Sequence, residues 1–308
     1  MRRFKKILKW TGIILLLLIC GLTITVMSRQ NLTYDRPYPA IRASSDSAVI
    51  QRGKYLVFGA AHCADCHGPT NSDSLYNLGL DVPLAGGFTF DFDLGKIYAK
   101  NITPDMETGI GKRTDAEIAR TLRYGVHANG KAVLDFMPFH NTSDEDLTAI
   151  ISYLRTQKPV KHKVPDNSFN VMGKVVNAFM IEPVGPDGEV PVSVKPDTTA
   201  VYGAYLAKSV ANCYGCHTER GMTGAFTGVP FAGGLEIEGF ITPNLTPDST
   251  SRIFGWSQKN FLDRFRMGKL IKTSPMPWNS FKRMNDNDIK AIYNFLHSLK
   301  PVKMKAKE

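Results

Sequence analysis

Residues 10–27, WTGIILLLLICGLTITVM, run for 18 positions without a charge. As a helix this stretch measures about 27 Å, enough to cross a bilayer core if the flanking Lys9 and Arg29 reach for the headgroups. Beyond it the pattern changes to short amphipathic periods. AEIARTLRYG (116–125) follows Thr114, with Glu117 three residues on, a capping-box start. SDEDLTAIISYLRTQ (143–157) repeats that relation with Ser143 and Asp146, and sets Leu147, Ile150, Ile151 and Leu154 on one face. DNDIKAIYNFLHS (286–298) does the same with Ile289, Ile292, Phe295 and Leu296, and stops before Pro301. Apolar residues also fall at helical spacing over 50–67 and 199–217. The pattern therefore predicts a mainly helical chain behind one N-terminal transmembrane helix. Long Gly/Pro-rich stretches such as 68–104 lie between these helices. A large cofactor filling the core explains loops of that length.

The pattern also occurs twice. RGKYLVFGAAHCADCHGPT (52–70) matches VYGAYLAKSVANCYGCHTER (201–220), and LAGGF (84–88) matches FAGGL (231–235). NITPD (101–105) pairs with NLTPD (244–248), RYGV (123–126) with RMGK (266–269), and MPF (137–139) with MPW (276–278). The last pair is DEDLTAIISYLRTQKPV (144–160) with DNDIKAIYNFLHSLKPV (286–302). Blocks in one order, twice, predict a duplication: an arm and anchor over 1–29, one domain over 44–162, and a second over 197–302. The linker, 163–196, holds FNVMGKVVNAFMI, a short helix to be packed on a domain. A connector rich in Pro, Gly and Asp follows it.

The chemistry lies in the repeated C-x-x-C-H. A thioredoxin-like pair needs a βαβ context that is missing here, and a zinc site needs four ligands where each repeat supplies two cysteines and one histidine. Cysteines at i and i+3 of a helical turn can form thioethers with the two vinyl groups of one porphyrin, and the next histidine lies under the iron. Cys63, Cys66 and His67 are thus expected to hold one haem c, and Cys213, Cys216 and His217 a second. Cys20 falls within the apolar run as an inert thiol.

The sixth ligand decides what such an iron does, because a permanent His/Met pair favours electron transfer and an open site permits peroxide chemistry. Met137 and Met276 are the methionines in matching positions, each followed by proline and an aromatic ring. They are the expected axial ligands; the alternative for any methionine is flexible core filler, the reading given to Met172, Met180, Met222, Met267 and Met284. His127 and His140 are rivals at the first haem, although His127 reads as surface. His62, His162 and His297 read as solvent-facing. Tyr55 and Tyr205 are expected in the core against the haem edge, with Trp256 and Trp278 as haem packing. Asn101, Thr103, Asn244 and Thr246 either bind a propionate or form a loop-to-helix cap.

Composition narrows the partners. Of the net charge of +10, Arg2, Arg3, Lys5, Lys6, Lys9 and Arg29 contribute six in the first 29 residues. The remaining excess of four is too small and spread out for a nucleic-acid face. Basic residues before the apolar run place the N-terminus inside and residues 30–308 outside. VMSRQN is a poor cleavage context, so a retained anchor is expected over a cleaved signal peptide.

The combination GKYL…CADCH…LAGGF…NITPD…TGIG…LRYGV…MPF…DEDLTAIISYL resembles class I c-type cytochrome domains. It is most similar to the membrane-anchored cytochrome c subunits of bacterial alcohol and gluconate dehydrogenase complexes. The resemblance implies an all-α fold of two tandem cytochrome c domains, low-spin His/Met haem, and electron passage from a periplasmic donor to a redox acceptor, the partners being a dehydrogenase, an oxidase or another cytochrome. Membrane lipid is the further partner, through the N-terminal helix at the bacterial inner membrane. The expected function is electron transfer by two haems c; the alternative is a dihaem enzyme, a peroxidase or a sulfur-compound dehydrogenase.

Overall fold

The computed structural model describes residues 2–69, 75, 80–135, 137, 139–221 and 224–304. Helix α1 (Arg2–Arg29) contains the apolar run, and Val26 is its one buried residue. It is long and apolar enough to cross a membrane. α2 (Ser47–Phe58) starts at Asp46, whose carboxylate accepts from the backbone N–H of Ala48 and Val49. The short α3 (Cys63–His67) follows.

β1 (Thr89–Phe92) and β2 (Gly95–Tyr98) then form an antiparallel hairpin, with Thr89 opposite Tyr98. α4 (Asp115–Tyr124) carries the capping box of Thr114 and Glu117, and α5 (Asp144–Thr156) is capped by Ser143. β3 (Ser168–Phe169) joins the free edge of β2, and α6 (Val171–Phe179) lies within the segment between the repeats.

The second half repeats the order. α7 (Ala200–Tyr205) continues as a π-helical turn, Leu206–Val210, before α8 (Cys213–Cys216). β4 (Glu236–Ile237) and β5 (Phe240–Ile241) pair antiparallel, and α9 (Gln258–Arg266), α10 (Trp278–Phe281) and α11 (Asp286–Ser298) complete the chain.

Helices dominate, yet the three-stranded and two-stranded sheets correct the expectation of an all-α fold. Their cause is local. Phe88, Phe90 and Phe92 alternate with polar residues at a period of two, and Glu238 and Gly239 both take positive φ, as a tight two-residue hairpin turn requires.

In each half the first helix crosses the last at a glycine. A Cβ on Gly53 would lie 1.8 Å from the carbonyl oxygen of Ala149, and one on Gly203 1.9 Å from that of Ala291. No side chain fits there. One buried cluster runs through both halves, joining Leu56, Phe58 and Ile150 to Leu206, Ile289 and Leu296.

Tyr55 and Tyr205, expected in the core, pack against this cluster, and their hydroxyls bond across the halves. Tyr55 donates to Asp288 (2.6 Å) and Tyr205 donates to Asp146 (2.8 Å). Their hydroxyls also accept from the backbone N–H of Asn285 and Ser143, at the starts of α11 and α5.

Candidate haem-binding centres

Each centre begins with a residue in the left-handed region, His62 (φ 38°) or Asn212 (φ 47°), which turns the chain into the single helical turn of α3 or α8. That turn sets Cys63 with Cys66, and Cys213 with Cys216, at i and i+3 on one face. All four are free cysteines, not joined as disulfides. Burial, reinforced by the neighbouring thiol, pushes Cys63 and Cys213 up to about 12. Burial also pushes Cys66 up to about 12 and raises Cys216. Such thiols are protonated and poor in exchange chemistry, unlike a catalytic redox pair.

The two histidines are held alike. His67 Nδ1 lies 2.6 Å from the carbonyl oxygen of Lys100, and His217 Nδ1 lies 2.8 Å from that of Pro243. A ring nitrogen facing a carbonyl carries the proton, which leaves Nε2 with the lone pair. Burial lowers the basicity of both imidazoles in spite of these bonds. A neutral, oriented imidazole is the form that ligates a metal.

The repeated motifs supply those carbonyls. Asn101 accepts from the N–H (3.0 Å) and hydroxyl (2.7 Å) of Thr103 and donates to the carbonyl of Val160 (2.8 Å). Asn244 does the same with Thr246 and with Val302 (2.7 Å). N-x-T-P-D is therefore a buried clasp that ties its loop to the chain beyond the last helix. The expected loop-to-helix cap is corrected to a loop clasp, because the helices that follow are capped by Thr114 and Ser257 instead. The residue just before each clasp, Lys100 or Pro243, is the one whose carbonyl meets the histidine. Sequence reasoning missed these two residues, because it is their backbone that acts.

The AGG motif closes the frame. Gly86 and Gly233 donate their N–H to the carbonyls of His67 and His217, each at 2.8 Å. Both have positive φ, and a Cβ on Gly233 would lie 2.5 Å from the Thr242 oxygen and 2.6 Å from the Pro243 carbonyl carbon. The motif needs glycine because it touches the backbone segment that orients the histidine.

Met137 and Met276 are half-buried and pack against the same cluster as Cys63 and Cys213. Their carbonyls accept from the N–H two residues on, of Phe139 (2.9 Å) and Trp278 (2.7 Å). Pro277, at φ −75° and ψ 58°, makes this an inverse γ-turn in the second half. Pro138 lies outside the described residues.

Other side chains sort differently from expectation. His140, the rival at the first haem, places its two ring nitrogens 3.1 Å from the carbonyl of Arg123 and from Asp135. His127 is half-buried and lowered by burial, where a surface site was expected. His62 packs edge-on against Phe281, and His297 stacks on Tyr293; His162 is exposed. Trp278 packs beneath the Arg264 guanidinium at 3.4 Å. Met284 is core filler at 2% exposure, whereas Met172, Met180 and Met267 are exposed, and Met222 lies outside the described residues.

The halves meet close to both centres. Ser280, four residues after Met276, donates to Asp65 between Cys63 and Cys66. Arg220, three residues after His217, pairs with Asp135, two before Met137, at 3.5 Å.

Paired i, i+3 thiols beside an imidazole held in the metal-ligating tautomer fit covalent haem attachment, which makes this a c-type cytochrome by class. The chain belongs to the cytochrome c family, whose profile, described as Cytochrome c, matches residues 50–158 and 200–300. It is 30% identical to the fructose dehydrogenase cytochrome subunit of Gluconobacter japonicus, over 96% of this chain and 60% of that protein. It is 28% identical to the cytochrome c subunit of the quinone alcohol dehydrogenase of Gluconobacter oxydans, over 84% of this chain and 56% of that one. A diheme cytochrome c-type of Cereibacter sphaeroides is 28% identical over 62% of this chain. The chain spans between 22% and 60% of the length of the first dehydrogenase-subunit relatives it matches. Membership in the family implies haem c and electron transfer.

Proposed function

We propose that this chain is a membrane-tethered dihaem electron carrier built by duplication, with domains over 44–162 and 197–302 joined by 163–196. Cys63, Cys66 and His67 hold one haem and Cys213, Cys216 and His217 the other, with Met137 and Met276 as sixth ligands. The observation that carries this reading is the same carbonyl–histidine–cysteine-pair frame at matching positions in both halves. When bound, each haem supplies a one-electron couple. The chain holds the histidine proton on Nδ1, sets each cysteine pair on one turn beside it, with three of the four half-buried and Cys216 exposed, and presents each methionine from a tight turn.

α1 anchors the protein, with the arm Met1–Lys9 in the cytoplasm and the haem domains in the periplasm. Because relatives are named as cytochrome subunits of dehydrogenases, the donor is assigned to that class and the acceptor to a further redox protein. The chain is not itself the catalyst. Intact mass and the absorption spectrum of the oxidised protein, with and without peroxide, test the reading. Two haem increments, a ferric methionine–sulfur band and no reaction with peroxide are expected. A high-spin component that reacts with peroxide overturns it in favour of a dihaem enzyme.

A further inference from the structure

α6 (Val171–Phe179) is amphipathic the wrong way round for a soluble protein. Its small residues, Gly173 and Ala178, are buried, while Val171, Met172 and Phe179 are 82%, 61% and 44% exposed. Met172, Val176 and Phe179 recur at i, i+4 and i+7, so they form one line along the helix, with Val176 half-buried between two exposed residues. Lys174 lies on a different side. An apolar line turned outward on a helix marks a surface that something covers.

The helix is also held firmly. Asn170 caps it by accepting from the Gly173 N–H (2.9 Å) and donates to the Asp93 carbonyl (2.5 Å). A Cβ on Gly173 would lie 2.0 Å from the Leu94 oxygen, so α6 presses against the hairpin of β1 and β2. Its C-terminal end meets the end of α1. Arg29 donates to the Ala178 carbonyl at 2.8 Å, and its guanidinium stands over the Phe179 ring at 5.2 Å.

Arg29 is the first charge after the apolar run. If α1 spans the bilayer, Arg29 lies at the headgroups, and Ala178 and Phe179 lie there with it. We propose that α6 rests on the bilayer surface, its Met172–Val176–Phe179 line dipped into the headgroup and acyl boundary. A basic residue and an aromatic ring at the exit of a span suit that depth. The haem domains would then be docked on the membrane at two places, the span and α6, rather than tethered at one. This inference rests on reading α1 as a retained span.

The test is spin-label power saturation on the full haem-loaded chain in phosphatidylethanolamine–phosphatidylglycerol vesicles. A Cys20→Ser parent serves as the labelling blank, and single nitroxides are placed through Met172→Cys, Lys174→Cys or Leu17→Cys. The Leu17 label reports the span itself. The inference expects the Met172 label to favour oxygen over an aqueous nickel chelate, at a depth of about 5–10 Å, with the Lys174 label water-like. A water-like Met172 label beside a deeply buried Leu17 label overturns the inference, leaves the span standing, and gives the α6 face to a protein partner. A water-like Leu17 label overturns both.

Discussion

Arg52 and Tyr202 stand at matching positions of the two repeats and meet, a guanidinium nitrogen 3.4 Å from the phenol oxygen. Residues that touch their own counterparts lie on the axis of an approximate two-fold relation. The exchanged bonds on either side fit that relation, Tyr55 with Asp288 and Tyr205 with Asp146. Arg52 adds a bidentate pair to Asp146 at 2.8 and 3.0 Å. Burial opposes its charge, yet the bonds to Asp146 outweigh burial and raise its pKa. The N-terminus of each half's last helix is thus held by a side chain from the other half.

Removing one of those hydroxyls isolates its contribution. Tyr55→Phe takes a donor from the Asp288 carboxylate, on a residue 1% exposed, and an acceptor from the Asn285 N–H. A buried polar group left without its partner costs about 1–3 kcal/mol. Denaturant unfolding followed by far-UV circular dichroism is expected to show a loss of that size, with Tyr205→Phe giving a similar loss. Unchanged midpoints for both variants would show that the interface does not depend on these bonds.

Asp81 predicts a pH dependence. It lies 2.6 Å from both Lys54 in the first half and Arg283 in the second. Burial works to raise its pKa, but the hydrogen bonds from Lys54 and Arg283 outweigh burial and hold the carboxyl below 3.8. A carboxyl depressed in the folded state stabilises the fold above its unfolded pKa, and that contribution is lost as pH falls through the folded one. Asp81→Asn is therefore expected to melt below the parent at neutral pH, and the two melting temperatures are expected to converge as pH drops below 3.8. A gap that persists in acid would assign the effect to packing.

What the sequence revealed and what it concealed follow from the range of each interaction. The Thr114–Glu117 box and the Ser143 cap operate within one turn, so they are legible in the sequence, and the structure forms both. The thiols and histidine of C-x-x-C-H are legible for the same reason. The N-x-T-P-D clasp is repeated visibly, but its partner carbonyl lies 59 residues away in one half and 58 in the other. Composition alone left a propionate contact open. Tyr55 falls on an apolar period and reads as core, since nothing near it in sequence points to a carboxylate 233 positions on. Met172 reads as filler for a similar reason: its exposure follows from which face of α6 the hairpin and Gly173 occupy.

Two glycines with nearly the same φ separate strain from contact. Gly233 (φ 75°) sits against Thr242 and Pro243, whereas Gly239 (φ 79°) has nothing within 4 Å of an added Cβ. A left-handed residue other than glycine costs roughly 1–2 kcal/mol by itself. Gly239→Ala is expected to lose about that much stability and leave the haem spectrum alone. Gly233→Ala is expected to lose more and to shift the midpoint potential of one haem, because the displaced carbonyl of Pro243 no longer fixes His217. Redox titration with the melting curve checks both, and equal behaviour of the two variants would remove the positioning role of the AGG motif.

The two methionines near the end of the second half make the sharpest contrast. Met276 presents its side chain from a γ-turn and is half-buried, whereas Met284, eight residues on, is 2% exposed within the core. Truncating a buried methionine to alanine costs about 2–5 kcal/mol through lost contacts and the cavity left behind. Met284→Ala is therefore expected to lower stability by that amount with the ferric sulfur band intact. Met276→Ala is expected to abolish the sulfur band of one haem, convert it to a high-spin or water-ligated form, and lower its potential, since a thioether ligand favours the ferrous state. Absorption spectra and redox titration of the two variants side by side settle the ligand. If Met276→Ala keeps its band and behaves like Met284→Ala, the methionine is packing and another group completes the second haem.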